Sequence, residues 1–356
     1  MTVRLTWPTR DDAPIDTGRA KLEMVRVAKD GVGRLVEGDN LLALGALVDE
    51  GLEGKVDLAY LDPPYMSGVD YAREDKDGGR THAYGDRWAE RGHYLDMMWP
   101  RLRLLHRLLS PRGTLWVQTD HRATHLMQML LDELFGENRL RNAVVWRRAP
   151  PLGRQVQSNQ FPRNVDTLLC YAKGDSARFH KLSVDVPIEK GKARWDDERK
   201  AWFTLAPRGD YTDKSVARLE AEGRIHRTPS GKVYVKYFLH VAADGTVMKP
   251  RAVDSMWDDI APLRHVSLAE RTGYPTQKPE KLLERVIEAT SDAGDLVLDP
   301  FCGSGTTALV AARLGRRFVT IDASPVAIET TVARLHRAKV SFDVAHVEGI
   351  QSTSGV

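Results

Sequence analysis

The chain has 356 residues, 42% of them hydrophobic, a formal net charge of +3 and only two cysteines. Such a length and apolar content fill one large α/β domain or two smaller ones, while Cys170 and Cys302 are too few for a disulfide framework, a cysteine zinc site or a redox pair. No run reaches the ~18 apolar residues of a membrane span, and the opening MTVRLTWPTRDDAP lacks the apolar core of a secretory signal, so a cytoplasmic protein is expected.

Residues 1–32 are polar with scattered Val and Leu and read as an N-terminal arm. Gly33 to Asn40 reads as a short strand and turn, followed by an apolar helix through Leu41, Leu44 and Leu47. Asp39, where that strand stops, is either a helix N-cap or a ligand for a nucleoside at the sheet edge. Val56 to Leu61 has the length of a buried strand and runs into Asp62-Pro63-Pro64-Tyr65. That places a carboxylate and a ring at the carboxyl end of a strand, where open α/β sheets hold their ligands. The two prolines stiffen the segment, remove two N–H donors and leave carbonyls to accept from something else. The segment is either a strand-ending turn or a seat for an amino group on a flat base. Met66 to Gly92 is too long for a plain connection and reads as a lid or binding element. A helix over 93–109, a strand over 114–120 and a helix over 123–135 then alternate as in a parallel sheet with crossover helices.

From Arg147 to Arg251 the alternation fails and the charge changes, with 21 Lys and Arg against 12 Asp and Glu. A basic block on an otherwise acidic body suits a polyanion. Trp195, Trp202, Tyr211, Tyr234, Tyr237 and Phe238 are interleaved with Lys and Arg, a mixture that serves phosphate contacts and base stacking or else a small core under a hairpin near Ser230-Gly231. Residues 149–254 are therefore read as an irregular insert that suits a polyanion. Arg147, Arg148, Arg154, Arg163, Lys190, Lys192 and Arg194 are its candidate contacts.

Alternation resumes with a helix after Pro279, a strand over 296–299, the loop Pro300-Phe301-Cys302-Gly303-Ser304-Gly305-Thr306-Thr307, a helix to Leu314, the strand Phe318 to Asp322 and a last helix; residues 341–356 read as a tail. Gly303-Ser304-Gly305 lets backbone approach a ligand, and an acid such as Asp322 at the end of the next strand commonly takes ribose hydroxyls. By itself the motif does not separate a nicotinamide dinucleotide from S-adenosylmethionine. Asp299 beside the loop does: a carboxylate repels a pyrophosphate and suits an ammonium and a sulfonium. No Gly-Lys-Ser/Thr follows, which disfavours a P-loop. Only one β-α-β unit follows the glycines, so the rest of the sheet comes from the N-terminal half and the sheet is circularly permuted.

Asp62 to Tyr65 early, Tyr274-Pro275-Thr276-Gln277-Lys278-Pro279 late and Asp299 to Thr307 after it resemble the β-class amino-methylating DNA methyltransferases over roughly residues 33–148 and 255–338. The resemblance implies a Rossmann-like S-adenosylmethionine-dependent methyltransferase sheet, permuted, in a catalytic domain formed by 33–148 and 255–340. It implies that Asp62, Pro63, Pro64 and Tyr65 are catalytic, with Tyr65 stacking on the base. It further implies that Asp39, Gln277, Lys278, Asp299, Phe301, Gly303, Ser304, Gly305, Thr306, Thr307 and Asp322 bind the cofactor. The acid in Asp62's position favours adenine N6 as target, since the family's cytosine-N4 members more often carry Ser there.

Cytosine C5 chemistry would need a Cys nucleophile in a Pro-Cys context, and neither cysteine has one. The alternatives are cytosine N4, an RNA or protein amide or amine as acceptor, and a DNA-binding module without catalysis. Double-stranded DNA is the expected partner, with a restriction endonuclease and a second copy of the chain as further ones, at the nucleoid and with no membrane or metal involved.

Overall fold

The structure is a computed structural model describing residues 4–17, 20–74, 79–150, 159–189 and 191–348. It separates into a larger unit, residues 1–180 with 254–356, and a smaller unit, Lys181–Val253.

In chain order the larger unit begins with strands β1 (Lys21–Arg26) and β2 (Gly33–Glu37), helix α1 (Asn40–Leu47) and strand β3 (Val56–Leu61). A hairpin of β4 (Val69–Glu74) and β5 (Arg80–Asp86) follows, then α2 (Arg91–Leu108), β6 (Leu109–Thr119), α3 (Thr124–Phe135), β7 (Leu140–Arg147) and β8 (Val165–Ala172). The smaller unit holds β9 (Ser183–Pro187), β10 (Arg194–Asp196), β11 (Ala201–Pro207), α4 (Asp213–Ala221), β12 (Ile225–Arg227), β13 (Val233–Phe238), β14 (His240–Val241) and β15 (Val247–Ala252). The chain then returns to the larger unit through β16 (Met256–Trp257), α5 (Glu280–Thr290), β17 (Leu296–Asp299), α6 (Thr306–Arg313), β18 (Arg317–Asp322), α7 (Pro325–Arg337) and β19 (Asp343–Glu348).

Ten strands form one sheet in the order β1-β19-β2-β18-β17-β3-β6-β8-β7-β16. From β19 to β6 every pairing is parallel. The seam at its centre joins the two ends of the sequence: Val297 pairs with Leu58 and Leu298 with Ala59. The sheet is thus Rossmann-like and circularly permuted. Its central strands β3, β17 and β18 are buried on both faces and therefore read as apolar runs rather than alternating ones. Ala59, Leu61 and Leu298 join α1, α2 and α3 in one core. Side chains alternate along a strand, so Tyr60 and Asp299 face the opposite side.

Three boundaries differ from the sequence reading. Residues Leu168 to Tyr171 are fully buried, and a strand with two apolar faces and two apolar neighbours belongs in a sheet; as β8 it lies antiparallel between β6 and β7 rather than in the insert. The expected arm contributes β1, and the expected tail contributes β19, which pair antiparallel at the sheet edge. The insert is regular, not irregular. It has one antiparallel sheet ordered β10-β11-β13-β12 and another ordered β14-β15-β9, over a small core that includes Phe203, Val216, Leu219 and Val235. Its hairpin turns at Ser230-Gly231 between β12 and β13. Residues 349–356 lie outside the described residues. Among the described residues no helix is long and apolar enough to cross a membrane.

Candidate active site

Asp62 follows β3 directly, and its carboxylate meets two partners. The Tyr65 hydroxyl donates to Oδ1 and the Lys278 ammonium donates to Oδ2. Lys278 arrives from the segment before α5, where Thr276 adopts a left-handed φ of +58°. Its Nζ also donates to the Thr276 carbonyl at 3.2 Å and sits 5.7 Å from the centre of the Tyr65 ring. A charge-assisted contact of this kind is stronger than a neutral one, so the carboxylate, the ring and the ammonium form one cluster.

Beside it the loop between β17 and α6 folds around two glycines. Gly305 has φ +72°, and a Cβ there would lie 2.6 Å from Thr331 Cγ2; at Gly303, φ +52°, a Cβ would lie 3.3 Å from the Tyr274 ring. Only glycine meets both demands. The Gly303 N–H donates to Asp322 Oδ2 at 2.8 Å, and the Ser324 N–H donates to Oδ1 at 2.9 Å. Phe301 N–H donates to Asp299 Oδ1 at 2.9 Å. Behind the loop the buried Arg334 guanidinium donates to Thr306 Oγ1 and to Glu280 Oε1, each at 2.7 Å.

Burial pushes the Asp299 carboxyl up to about 7; hydrogen bonds from Thr307 and Phe301 oppose the shift, and the nearby charges of Asp62 and Asp322 add to it. Burial likewise pushes Asp322 up to about 6, against the N–H groups of Ser324, Gly303 and Ala323. Two carboxyls held this far above their ordinary range are poised to gain from a cation.

One cavity joins these parts. Asp62, Pro64, Gln277, Lys278, Asp299, Phe301, Gly303, Ser304, Thr306, Thr307 and Asp322 line it, with Tyr60, Tyr84, Tyr274 and Thr276. Gln277 lines it with its amide committed elsewhere: Oε1 accepts from Thr272 N–H and Oγ1, and Nε2 donates to the Glu270 carbonyl. Gly305 supports the loop from behind. Asp39 lies apart from the cavity. It caps α1, accepting from Leu41 N–H at 2.7 Å, and pairs with the buried Arg101 at 3.1 Å. Its neighbour Asn40 makes the link to the loop instead, donating to the Pro300 carbonyl at 2.7 Å.

The residues fit S-adenosylmethionine. The carboxylates suit a cationic amino acid and ribose hydroxyls, the glycines admit backbone contact, and the acids disfavour a pyrophosphate. Among the described residues no group of three or more His, Cys, Asp or Glu is placed to hold a metal.

Several contributors carry no sequence signal. Tyr60 hydrogen-bonds Gln118 at 2.7 Å from within a strand, Tyr84 sits on the hairpin, and Arg334 on a helix that reads as amphipathic. Of the candidate DNA contacts, Arg147 is exposed at the end of β7. Arg148 pairs with the buried Asp166 at 2.8 Å, and Arg163 contacts His121 at 2.8 Å. In the smaller unit Lys192 pairs with Glu189 and Arg194 is exposed on β10. Arg154 and Lys190 lie outside the described residues. β7 and β3 share a direction, so Arg147 and Arg148 emerge at the same sheet edge as Asp62.

The sequence model of a DNA methylase family matches residues 56–333. The chain is 30% identical over 370 aligned positions to the Type II methyltransferase M.EcaI of Enterobacter cloacae, covering 93% of this chain and 77% of that one. It is 26% identical over 310 positions to the Type II methyltransferase M2.DpnII of Streptococcus pneumoniae, covering 85% and 88%. The solved PvuII DNA methyltransferase (cytosine-N4-specific) shares the fold, with a TM-score of 0.51 and 14% identity over 87% of this chain and 89% of that one. With its glycine loop, its Asp-Pro-Pro-Tyr segment and a family match over most of its length, this chain belongs to the N6/N4 DNA methylases.

Proposed function

We propose that the protein transfers a methyl group from S-adenosylmethionine to the exocyclic N6 amino group of an adenine flipped out of duplex DNA. The observation that carries this reading is the Asp62 carboxylate, set beside Tyr65 and opening into the same cavity as the glycine loop. When bound, the cofactor supplies an electrophilic sulfonium methyl; Asp299, Asp322 and the backbone of 301–305 would hold it.

An exocyclic amino nitrogen is a poor nucleophile because its lone pair is delocalised into the ring. Asp62 and the Pro63 carbonyl each accept one N–H, which favours a tetrahedral nitrogen with its lone pair aimed at the methyl. Lys278 and Tyr65 engage one Asp62 oxygen each, which leaves acceptor sites on the carboxylate for the amino N–H. Tyr65 gives up its hydroxyl contact as its ring stacks on the base, while Lys278 keeps Asp62 oriented. The target atom is out of reach inside a duplex, which makes flipping part of the cycle. The Asp at position 62 supports adenine over cytosine, by the family tendency given above.

Arg147, Arg148, Arg163 and the basic unit 181–253 are the DNA contacts in this reading. Likeness to two Type II methyltransferases supports a site-specific methyltransferase; a cytoplasmic location and a restriction endonuclease partner complete this reading. Mass analysis of nucleosides after incubating duplex DNA with labelled cofactor tests the assignment. N6-methyladenine is expected; N4-methylcytosine in its place overturns the base assignment, and label in RNA or peptide but not DNA overturns the substrate class. Asp62→Ala is expected to abolish transfer and leave cofactor affinity within a few-fold of the wild type.

A further inference from the structure

Asp86 ends β5, is 2% exposed, and has no part in the chemistry above. Its Oδ2 accepts the backbone N–H of Tyr65 at 3.1 Å and of Ser67 at 2.8 Å. Its Oδ1 accepts the backbone N–H of Met66 at 2.8 Å and the indole N–H of Trp88 at 3.0 Å. A carboxylate offers about four acceptor sites, and four donors are present. Three consecutive N–H groups converging on one anion form a concave backbone turn, and its middle residue, Met66, is held at φ +60°. A non-glycine side chain disfavours that conformation, so the turn depends on the anion that gathers it.

The strand carrying Asp86 reaches the other half of the site as well. Two residues earlier and on the same face of β5, the Tyr84 hydroxyl lies 3.0 Å from Thr276 Oγ1. One short strand thus contacts the segment that presents Tyr65 and the segment that presents Lys278, whose side chains meet at Asp62.

We infer that Asp86 is a positioning residue for methyl transfer: it gathers the left-handed turn at Met66 and so sets where Tyr65 and Asp62 stand relative to Lys278. This rests on the reading that Asp62 and Tyr65 receive the target base. The carboxylate does not touch the base, and it acts through the backbone of 65–67.

The substitution Asp86→Asn keeps the size of the side chain but turns an N–H₂ toward N–H donors. A small displacement of reacting groups can cost on the order of 100-fold in rate, so kcat on duplex DNA is expected to fall by roughly 10- to 100-fold. Cofactor affinity by calorimetry is expected within about twofold of wild type, because no cofactor-loop contact is lost. Adding Met66→Gly, which makes a positive φ easy, is expected to return part of kcat. Should Asp86→Asn fail to fold, Trp88→Phe removes one of the four donors and keeps a ring against Tyr94; it is expected to lower kcat several-fold, about 3 to 10, at unchanged cofactor affinity. Unchanged kcat, a loss of kcat and cofactor binding in parallel, or no gain from Met66→Gly overturns the inference. If the wild type itself transfers no methyl to DNA, the functional reading fails instead.

Discussion

Lys278 donates to Asp62 Oδ2 although 216 residues separate the two in the chain. The pairing makes one site of the two sequence halves that the permuted sheet brings side by side, and it fixes the orientation of the carboxylate proposed to receive the amino group.

Replacing Lys278 by Met keeps most of the aliphatic stem and removes the charge. Single-turnover rates are expected to fall by about 100-fold, the scale seen when one charge-stabilising donor is lost from an active site, while duplex DNA affinity changes only a few-fold. An unchanged rate would mean that Lys278 does not act through Asp62.

The two raised carboxyls give opposite pH responses with and without cofactor. Asp299 at about 7 and Asp322 at about 6 still hold protons in the folded protein at pH values where an unfolded aspartate, near 3.8, has lost its own. Their contribution to stability is full below the unfolded value and is lost as pH rises through the folded ones, between about 4 and 7. The melting temperature of the cofactor-free protein is therefore expected to fall across this window relative to Asp299→Asn. Cofactor affinity is expected to rise across the same window as the carboxylates form, and the rise is expected to shrink in Asp299→Asn. Calorimetric titration at pH 5.5, 6.5 and 7.5 checks the second half.

Gly305→Ala meets both a positive φ and a contact 2.6 Å from Thr331 Cγ2. The combined cost of the backbone conformation and overpacking is on the order of 2–4 kcal/mol. Urea unfolding reads the stability loss, and calorimetry is expected to show cofactor binding lost in the fraction that remains folded.

Arg334→Met strips the support from behind the glycine loop. Removing one partner of a buried pair costs about 3–5 kcal/mol, and the lower end is expected because Glu280 keeps Arg313 at 2.7 Å. Cofactor affinity is expected to drop along with the urea midpoint, since Ser304 and Thr306 lose the guanidinium that holds them. A midpoint equal to wild type would show that the loop stands without it.

The parts of this molecule legible in its sequence are those whose signal is local. Val56 to Tyr65 and Leu296 to Thr307 declare a strand, a turn and their chemistry within a dozen residues, and the position of the glycines near the end of the sequence reveals the permutation. Asp86 does not declare itself, because its partners are backbone N–H groups 19 to 21 residues away and any acid in a long polar loop looks the same. Arg334 reads as one more cation on an amphipathic helix until the loop it supports is in place. β8 is misassigned for a different reason: it follows a basic stretch, so charge suggests the insert, while its unbroken apolar run belongs between two strands. Asp39 sits at a strand end where a cap and a ligand look alike; its contacts with Leu41 and Arg101 add the cap and leave the ligand reading a proposal.

The seam between Leu58 and Val297 also bears on how the enzyme comes into being. During synthesis β3 emerges early and waits with one edge unpaired while well over half the chain is still to be made. Neither the acceptor half nor the cofactor half of the cavity has its opposite wall until β17 slots in beside it. A chain that lacks β17 is therefore expected to transfer no methyl group. A cut within the 181–253 unit is accordingly expected to yield two fragments that are inactive alone and active when mixed.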